Sequence, residues 1–451
     1  MRRREFIETA ALGALAAVGS GCAIQKTNAA APSPPPPAPT PSPLPPPPPQ
    51  IARAPVNLAV PRISWERVIR TTVGLRPHRD SGFVLKAEKF DEKTVIHDYG
   101  FGGAGMSLAW GCGSLVADIA LEHSERRAAV LGCGSPGLTA ARQLQRRGFE
   151  VTIYAMAIPP NTTSNMSMAG FTPTSGLVSA DRRTPAWDAQ FRQAAEISYR
   201  QLQLLVGTPS YGVYWIDSYS AVDSLTAGRG GGGGGNGAGA GRGGGGRGGG
   251  GEGGPDLLPE ALQTGRDREV FGPGEHPFPT KYAIRTSALG IQPNQYLEAL
   301  VRDFMLFGGK IVIRKFDTPR DLMSLTESII VNCTGLGSKT LFNDDELVPI
   351  KGQLTVCVPQ PELNYRASGR LPNSSSIGGN INPRSDGITI GNLMDRGNWS
   401  LEPDEEARQR NVNAAIEFFS AMRAPAPTVR LTTSRSPRAV PSLESFYGLE
   451  S

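Results

Sequence analysis

The sequence has few of the residues that build metal centres and disulfide frameworks. Its 451 residues include five cysteines and four histidines, and no cysteine forms a CxxC pair or lies at metal-ligand spacing from a histidine. This scarcity argues against a zinc site. The cysteines after residue 22 lie in apolar or glycine-rich stretches, and we expect them to be buried thiols: Cys112, Cys133, Cys333 and Cys357.

A large excess of charge is also absent from the part of the chain that we expect to fold. The formal net charge is +5, but six arginines lie at residues 2–4 and in the glycine-rich tract 228–254. The remainder is close to neutral, which removes the electrostatic argument for a nucleic-acid partner. The tract resembles an RGG-type RNA-binding segment, although its composition favours a flexible surface insertion.

The amino-terminal segment lacks an apolar run long enough to span a membrane, and Glu8 interrupts the weakly apolar stretch that it has. Its first residues, MRRREFI, fit the twin-arginine pattern of an export signal, which we assign to residues 1–22. Cys22 resembles a lipoprotein cleavage site without the usual leucine, so its lipidation stays open. We expect an exported protein, periplasmic or in the cell envelope, which a lipid on Cys22 would attach to the membrane.

A dinucleotide-binding pattern occupies residues 128–154. A short apolar run is followed by GCGSPG, a helical pattern and a second apolar run, which predicts a strand, turn, helix and strand. In this pattern Gly132 permits the tight turn, Gly134 lets the backbone approach a pyrophosphate, and Gly137 lets helix and strand pack closely. The acidic residue that normally binds the ribose after the second strand is missing, and Met156 cannot accept those hydrogen bonds.

Further elements follow from local patterns. The spacing predicts helices at 295–307 and 403–422, and strands at 310–316, 328–331 and 388–390. Between residues 186 and 292 the periodicity is mixed, and it only weakly supports a second, β-containing domain. The segment 374–382, SSSIGGNIN, is typical of a polar, flexible loop.

Several separate motifs resemble the D-amino-acid oxidase family. The segment HDYGFGGAGMS at 97–107 is similar to the flavin-binding segment that closes the family's chains, and GLRP at 74–77 resembles its substrate-carboxylate segment. The other matching stretches are TTS with AG at 162–170, IVNCTG at 330–335, KGQ at 351–353 and GNWSLEP at 397–403. The agreement of these motifs identifies the chain as a member of this family or a close relative.

The order of the motifs differs from the family. The segments that end the family's chains precede the first strand of the nucleotide-binding domain here, so we interpret the sequence as a circular permutation. A helix at about 107–121 and a short join at 122–127 would make this connection, because permutation costs little where native ends are adjacent. A gene-model artefact is the alternative, and a peptide map would separate the two.

The resemblance implies an α/β fold, with a Rossmann-like FAD-binding domain and a second, mixed β-sheet substrate domain. The expected organisation is an export signal at 1–22, a proline-rich linker at 23–55, FAD-binding segments at 56–185 and 293–350, substrate-domain segments at 186–292 and 351–400, a helix at 401–422 and a tail at 423–451.

The resemblance also implies FAD and oxidation of an amino acid to an imino acid, with hydride transfer to flavin N5 and reoxidation by dioxygen. Arg76 matches the family's residue that binds the substrate carboxylate. A guanidinium suits this role because it can donate two hydrogen bonds to one carboxylate. Gly103, with Gly102, would let substrate and flavin approach the backbone, and a helix start near Ser107 would face the reduced flavin. The remaining cofactor-binding candidates are Gly132, Gly134, Gly137, Thr162, Thr163, Ser164, Gly170, Gly335, Gly105 and Met106.

The chain departs from the family at the two active-site tyrosines, whose positions become Ser376 and Asn380. This change fits either a more open pocket for a larger or more polar substrate, or a loss of oxidase activity. Tyr211, Tyr214 and Tyr219 could compensate. Three functions stay open: an exported oxidase of D-amino acids or similar amines, a flavin dehydrogenase that reduces a membrane carrier, and a flavin-binding protein without turnover.

Overall fold

Two mixed sheets organise the chain in the computed structural model, which describes residues 55–225, 257–262, 267–374, 377–391 and 393–423. The export signal, nearly all of the proline-rich linker, the glycine-rich tract and the tail after residue 423 lie outside the described residues, as does Ser376. No helix within the described ranges is long and apolar enough to cross a membrane.

The first sheet has six strands among the described residues: β2 (Val84–Phe90), β3 (Lys93–Tyr99), β4 (Arg127–Leu131), β5 (Glu150–Ala155), β9 (Lys310–Ile313) and β10 (Ile329–Asn332). Their order in the sheet is β2-β3-β10-β4-β5-β9. All neighbouring strands are parallel except β2, which pairs antiparallel with β3 at one edge. A parallel sheet needs cover on both faces, and the continuous apolar runs of β4 and β10 follow from this.

Helices cover one face of this sheet. They are α1 (Gly105–Leu121), α2 (Ser135–Arg146), α3 (Pro185–Leu205) and α4 (Pro293–Leu306). Alternate strand residues point to them, as Val130 and Val331 do, and join their core. The other residues of the same strands, among them Leu131 and Ile330, pack beneath the turn at Pro319–Ser324 and the short helix α5 (Ser338–Leu341).

The second sheet has nine strands among the described residues, mostly antiparallel. Its strands are β1 (Val68–His78), β6 (Val213–Val222), β7 (Glu269–Phe271), β8 (Tyr282–Ile291), β11 (Val348–Cys357), β12 (Tyr365–Gly369), β13 (Gly379–Arg384), β14 (Gly387–Ile390) and β15 (Asp395–Arg396). The main path runs β1-β11-β14-β13-β12-β6-β8-β7, and β15 pairs with β11. Helix α6 (Glu405–Ser420) packs Phe418 and Phe419 on one face of the sheet, so the other face remains for the site.

The expected fold class, α/β with a Rossmann-like sheet and a second mixed sheet, is confirmed. The locally patterned strands and helices form close to their predicted places, although β9 ends at Ile313, before the predicted end at 316. Cys112, Cys133 and Cys357 are buried and Cys333 is partly buried, and all four are free thiols, as expected.

The prediction of a flexible loop at 374–382 is wrong at its carboxyl end, where β13 begins at Gly379. Gly379 and Ile381 face α6, while Asn380 and Asn382 face the opposite side. A strand with polar groups at alternate positions has little apolar content, and for this reason the sequence resembled a loop.

Candidate active site

The glycine-rich turn after β4 forms an open helix N-terminus. Gly132 adopts φ of +108°, and a Cβ atom at Gly137 would lie 2.1 Å from the Gly132 carbonyl oxygen. Gly134 is the N-cap of α2, and as a glycine it has no side chain of its own to cap the helix. Unpaired N–H groups and the positive end of the helix macrodipole make such a turn suitable for phosphate.

The segment that contains Thr162, Thr163 and Ser164 lies against the same helix start. The Ser135 backbone N–H donates to Ser164 Oγ at 3.0 Å, and the Cβ position of Gly134 is also 3.0 Å from that oxygen. Ser135 Oγ is buried and has no hydrogen-bond partner. An orphaned hydroxyl in the first turn of a helix whose N-cap is glycine fits an anionic group such as the FAD pyrophosphate.

A second helix start, that of α1, lies beside strand β1. Gly102 donates its N–H to the Pro77 carbonyl at 2.7 Å, and Gly105 and Met106 then open α1 without a side-chain cap. Gly335, with φ of +58°, places its Cβ position 3.7 Å from Pro77 Cγ. The ends of β3 and β10 therefore converge on the residue next to Arg76.

In the loop before α1, two of the predicted site residues, Gly102 and Gly103, pack closely against the backbone of residues 175 and 176. A Cβ at Gly102 would lie 1.7 Å from the Gly176 carbonyl oxygen, and one at Gly103 would lie 2.8 Å from that of Ser175. These contacts alone require glycine at Gly102. The approach of substrate and flavin to Gly102 and Gly103 stays a prediction.

The Ser107 hydroxyl forms two hydrogen bonds within the chain. It donates to the Gly170 carbonyl at 3.0 Å and accepts the Thr172 N–H at 2.8 Å, and the side chain is buried. The hydroxyl thus positions the loop around Gly170. The helix N-terminus, rather than the Ser107 hydroxyl, remains available to a developing negative charge.

Arg76 lies on the second sheet against Gly352, a diagonal neighbour on β11, which pairs Arg76 with Ile350 and Gly74 with Gly352. A Cβ at Gly352 would lie 2.7 Å from Cζ and both terminal nitrogens of Arg76, so the guanidinium lies flat on that glycine. Arg76 Nη1 donates to the Leu393 carbonyl at 3.2 Å. Lys351 and Gln353 on either side of Gly352 bond to the backbone of Glu402 and Asp404, which fixes this strand in place.

The segment 163–170 covers the same sheet face. Gly74, two residues before Arg76, places its Cβ position 2.9 Å from Met166 Cβ. Further along the sheet, Arg384 donates to the Ser167 carbonyl and Asn382 to that of Met168, at 3.2 and 3.3 Å. A layer between the two sheets therefore contains the predicted flavin segments on one side and polar strand residues on the other.

Sequence reasoning missed two residues of this layer, Arg366 and Asn382, and it named Tyr214 without being able to place it. Arg366 lies beside Gly170, and the Tyr214 hydroxyl donates to the Pro383 carbonyl at 3.3 Å. Burial raises the pKa of Tyr214. The sequence did contain a signal for these two strands, because polar residues alternate with apolar ones in YRASG (365–369) and GNINPR (379–384). Asn380 is on this face too, and its Oδ1 accepts the Gly391 N–H at 2.9 Å.

Met156 follows β5 and is 74% exposed. The position after β5, where the dinucleotide-binding pattern normally has an acidic residue that binds the ribose, therefore carries a methionine instead of a carboxylate.

A buried carboxyl group lies behind the site, at the end of β3. Asp98 is fully buried, its Oδ1 has no partner, and the Cys333 thiol donates weakly to its Oδ2 at 3.6 Å. Burial raises the pKa of Asp98 to about 8. This carboxyl is therefore mostly protonated at neutral pH.

An open groove of about 580 Å³ runs along β2 and β3, at the outer edge of the six-stranded sheet. Its charges are paired internally: Arg79 with Asp344 at 2.9 Å, and Lys86 with Glu88 at 3.0 Å. None of the predicted site residues lines this groove, and we place the site between the sheets instead.

The parallel sheet, its glycine turn and the two helix starts define a dinucleotide-binding flavoprotein. The chain belongs to the DAO family of FAD dependent oxidoreductases, whose family model matches residues 127–443. It is an FAD-dependent oxidoreductase, and the orphaned Ser135 hydroxyl in the first turn of α2 fits this cofactor.

Curated relatives agree with this assignment. The chain is similar to a D-amino acid oxidase of Dugesia ryukyuensis, with 23% identity over 65% of this chain and 78% of that protein. It is also similar to a D-amino-acid oxidase of Rubrobacter xylanophilus, with 25% identity over 71% of this chain and 89% of that protein. Among solved structures, glycine oxidase from Geobacillus kaustophilus aligns with a TM-score of 0.45 and 13% identity, over 67% of this chain and 81% of that one.

Proposed function

We propose that the protein oxidises a D-amino acid, or a similar amine, to the imino acid, which water converts to the keto acid. The observation that carries this proposal is the position of Arg76. Its guanidinium lies flat on Gly352, next to Pro77, which is bonded to the loop that opens α1. A planar, fixed guanidinium in this place suits a carboxylate.

The roles of the protein groups follow from this arrangement. Arg76 would bind the substrate carboxylate and so orient the α-carbon relative to the cofactor. FAD supplies the two-electron acceptor when it is bound, and dioxygen is the final oxidant. Two sheets and the segment 163–170 enclose the layer in which the substrate would lie, which limits the access of water.

An anaerobic titration of the FAD-loaded protein with a panel of D-amino acids tests this proposal. We expect bleaching of the oxidised flavin band, followed in air by peroxide and keto acid. Arg76→Leu should raise KM strongly while the flavin content stays unchanged. The proposal fails if no D-amino acid or amine bleaches the flavin. Bleaching that air reverses only slowly would indicate a dehydrogenase with another acceptor.

We also propose that the chain is circularly permuted relative to its family. The family match begins at Arg127, at the start of β4, while β1, β3 and α1 precede it. Strand β3 nevertheless pairs with β10, in the interior of the sheet, and only residues 122–126 separate α1 from β4. Peptide mapping of the protein from its native source should recover peptides that span residues 115–135, and their absence would refute the proposal.

We further propose export through the twin-arginine signal at 1–22, with lipidation of Cys22 as an open addition. The arginines at 3 and 4 and the phenylalanine at 6 support it. Replacing Arg3 and Arg4 with lysine should leave the protein inside the cell, and Cys22→Ala should abolish any lipid label. Unchanged export of the lysine variant would contradict the proposal.

A further inference from the structure

The ring of His78 lies between two hydrogen-bond acceptors. His78 ends β1, two residues after Arg76, and its side chain is buried. Its Nδ1 lies 2.8 Å from the Gly176 carbonyl oxygen, and its Nε2 lies 3.1 Å from Asp80 Oδ1. A carbonyl oxygen can only accept a hydrogen bond, and the same holds for an ionised carboxylate. With Asp80 ionised, both ring nitrogens therefore have to donate.

Asp80 is kept ionised by Arg396 of β15. Arg396 donates to both carboxylate oxygens, at 2.9 and 2.7 Å, and these hydrogen bonds lower the pKa of Asp80 well below its ordinary value. The Ser179 hydroxyl donates to Asp80 Oδ1 as well, at 3.2 Å. In the arrangement that the structure shows, His78 is thus an imidazolium, with one proton for Asp80 and one for the carbonyl.

The elements around the ring carry few other charges. The two loop segments packed against it, residues 100–105 and 172–179, contain no titratable side chain. Arg79 pairs with Asp344, and Asp395 accepts from Asn398. Asp80 is therefore the charged group that contacts the imidazole directly. The charged side chains of the strand ends around the ring are Arg76, Arg79, Asp80, Asp395 and Arg396.

The carbonyl that accepts from His78 belongs to a segment that supports the loop before α1. The Gly176 carbonyl oxygen lies 1.7 Å from the Cβ position of Gly102, which is itself 3.5 Å from His78 Nδ1. The Ser175 carbonyl oxygen lies 2.8 Å from the Cβ position of Gly103. The ring, the segment and the loop thus pack as one unit at the place where we expect substrate and flavin.

The other end of this segment is bonded to Asp80. The Ser179 N–H donates to the Asp80 carbonyl at 2.8 Å, in addition to the bond between its hydroxyl and the Asp80 side chain. Residues 175–179 are therefore fixed to the end of β1 at two points, by His78 at Gly176 and by Asp80 at Ser179.

We propose that His78 is a positioning residue whose imidazolium form holds residues 175–179 against the loop at Gly102 and Gly103. A neutral ring turns one lone pair toward an acceptor oxygen, so one of its two hydrogen bonds is lost. The fixed arrangement binds one proton more than the released one, and it is therefore favoured at low pH and lost as pH rises. The effect on turnover rests on the proposed function, whereas the protonation of the ring and the position of the segment do not.

Two measurements on the FAD-loaded protein follow the ring and the segment without catalysis. Nuclear magnetic resonance with ¹⁵N-labelled histidine should show a proton on both ring nitrogens of His78 at pH 6 and on only one at pH 9. The chain has four histidines, so a His78→Gln sample identifies the signals. Hydrogen exchange, corrected for the intrinsic rate at each pH, should show that protection of residues 175–179 falls about tenfold over the same range.

Substitutions separate a titrating ring from a merely structural one. In Asp80→Asn the amide can donate to Nε2 of a neutral ring while Nδ1 still donates to the Gly176 carbonyl, so protection should be the same at pH 6 and pH 9. His78→Gln can make only one of the two donor contacts, so protection at pH 6 should fall to the wild-type level at pH 9. His123→Gln, a matched change after the end of α1, should keep the wild-type profile.

Turnover tests the consequence for the site. With a D-amino acid as substrate, the ratio of kcat/KM of Asp80→Asn to that of the wild type should rise about tenfold from pH 6 to pH 9. The ionisation of the substrate cancels in this ratio, because both enzymes receive the same substrate at the same pH.

The inference about His78 and the proposed oxidation fail in different ways. If protection of residues 175–179 follows the protonation of His78 but no amino acid or amine bleaches the flavin, the inference stands and the proposed function fails. If protection in the wild type is equal at pH 6 and pH 9, or if Asp80→Asn keeps the wild-type pH dependence, the inference is overturned even when D-amino acids are oxidised. The wild-type measurement decides the matter alone if a variant does not fold.

Discussion

Asp98→Asn should stabilise the protein, and the gain should grow with pH. Asp98 is fully buried, one carboxylate oxygen has no partner, and burial raises its pKa to about 8. In the unfolded chain an aspartate has a pKa of about 3.9. Between these values the folded state holds a proton that the unfolded state releases, so wild-type stability falls as pH rises, at about 1.4 kcal/mol per pH unit for this group.

The magnitude follows from the same two pKa values. At pH 7 the cost of keeping Asp98 protonated is about 4 kcal/mol relative to a side chain that does not titrate, and at pH 5 it is about 1.5 kcal/mol. An asparagine has nearly the same shape, and its amide can face the Cys333 sulfur where the acid now lies. The variant should therefore lose this part of the pH dependence.

Urea unfolding at pH 5, 6, 7 and 8, followed by circular dichroism, measures the difference. Asp345→Asn is the matched control, because that carboxylate is 99% exposed and its replacement should shift stability by only a few tenths of a kcal/mol at any pH. If Asp98→Asn changes stability by the same amount at every pH, Asp98 does not titrate in this range in the folded state and our account of it is wrong.

Three further substitutions probe the cofactor and substrate sites. Gly137→Val should abolish FAD binding, because its Cβ would lie 2.1 Å from the Gly132 carbonyl oxygen, and the flavin content of the purified variant checks this. Gly352→Ala should displace the guanidinium of Arg76 and lower kcat/KM by about 10²-fold with normal flavin content, as steady-state kinetics would report. Met156→Glu should place a carboxylate where a ribose acceptor is missing and tighten FAD binding about tenfold in a fluorescence titration; unchanged affinity would mean that another group already binds the ribose.

The nucleotide-binding half of the site could be predicted because its signal is local. Gly132, Gly134 and Gly137 lie within six residues, between a strand and a helix that the hydrophobic pattern marks clearly. The resemblance to a family also identified Arg76 and Gly103 as candidate site residues. Their convergence in space, through the bond between Gly102 and Pro77, required the fold.

The substrate half could not be predicted in the same way, because its residues depend on strand register. Arg366, Asn382 and Tyr214 come from three strands, and only the pairing of β13 and β6 with β12 puts them on one face. The polar residues of β13, Asn382 among them, also made its sequence resemble a loop.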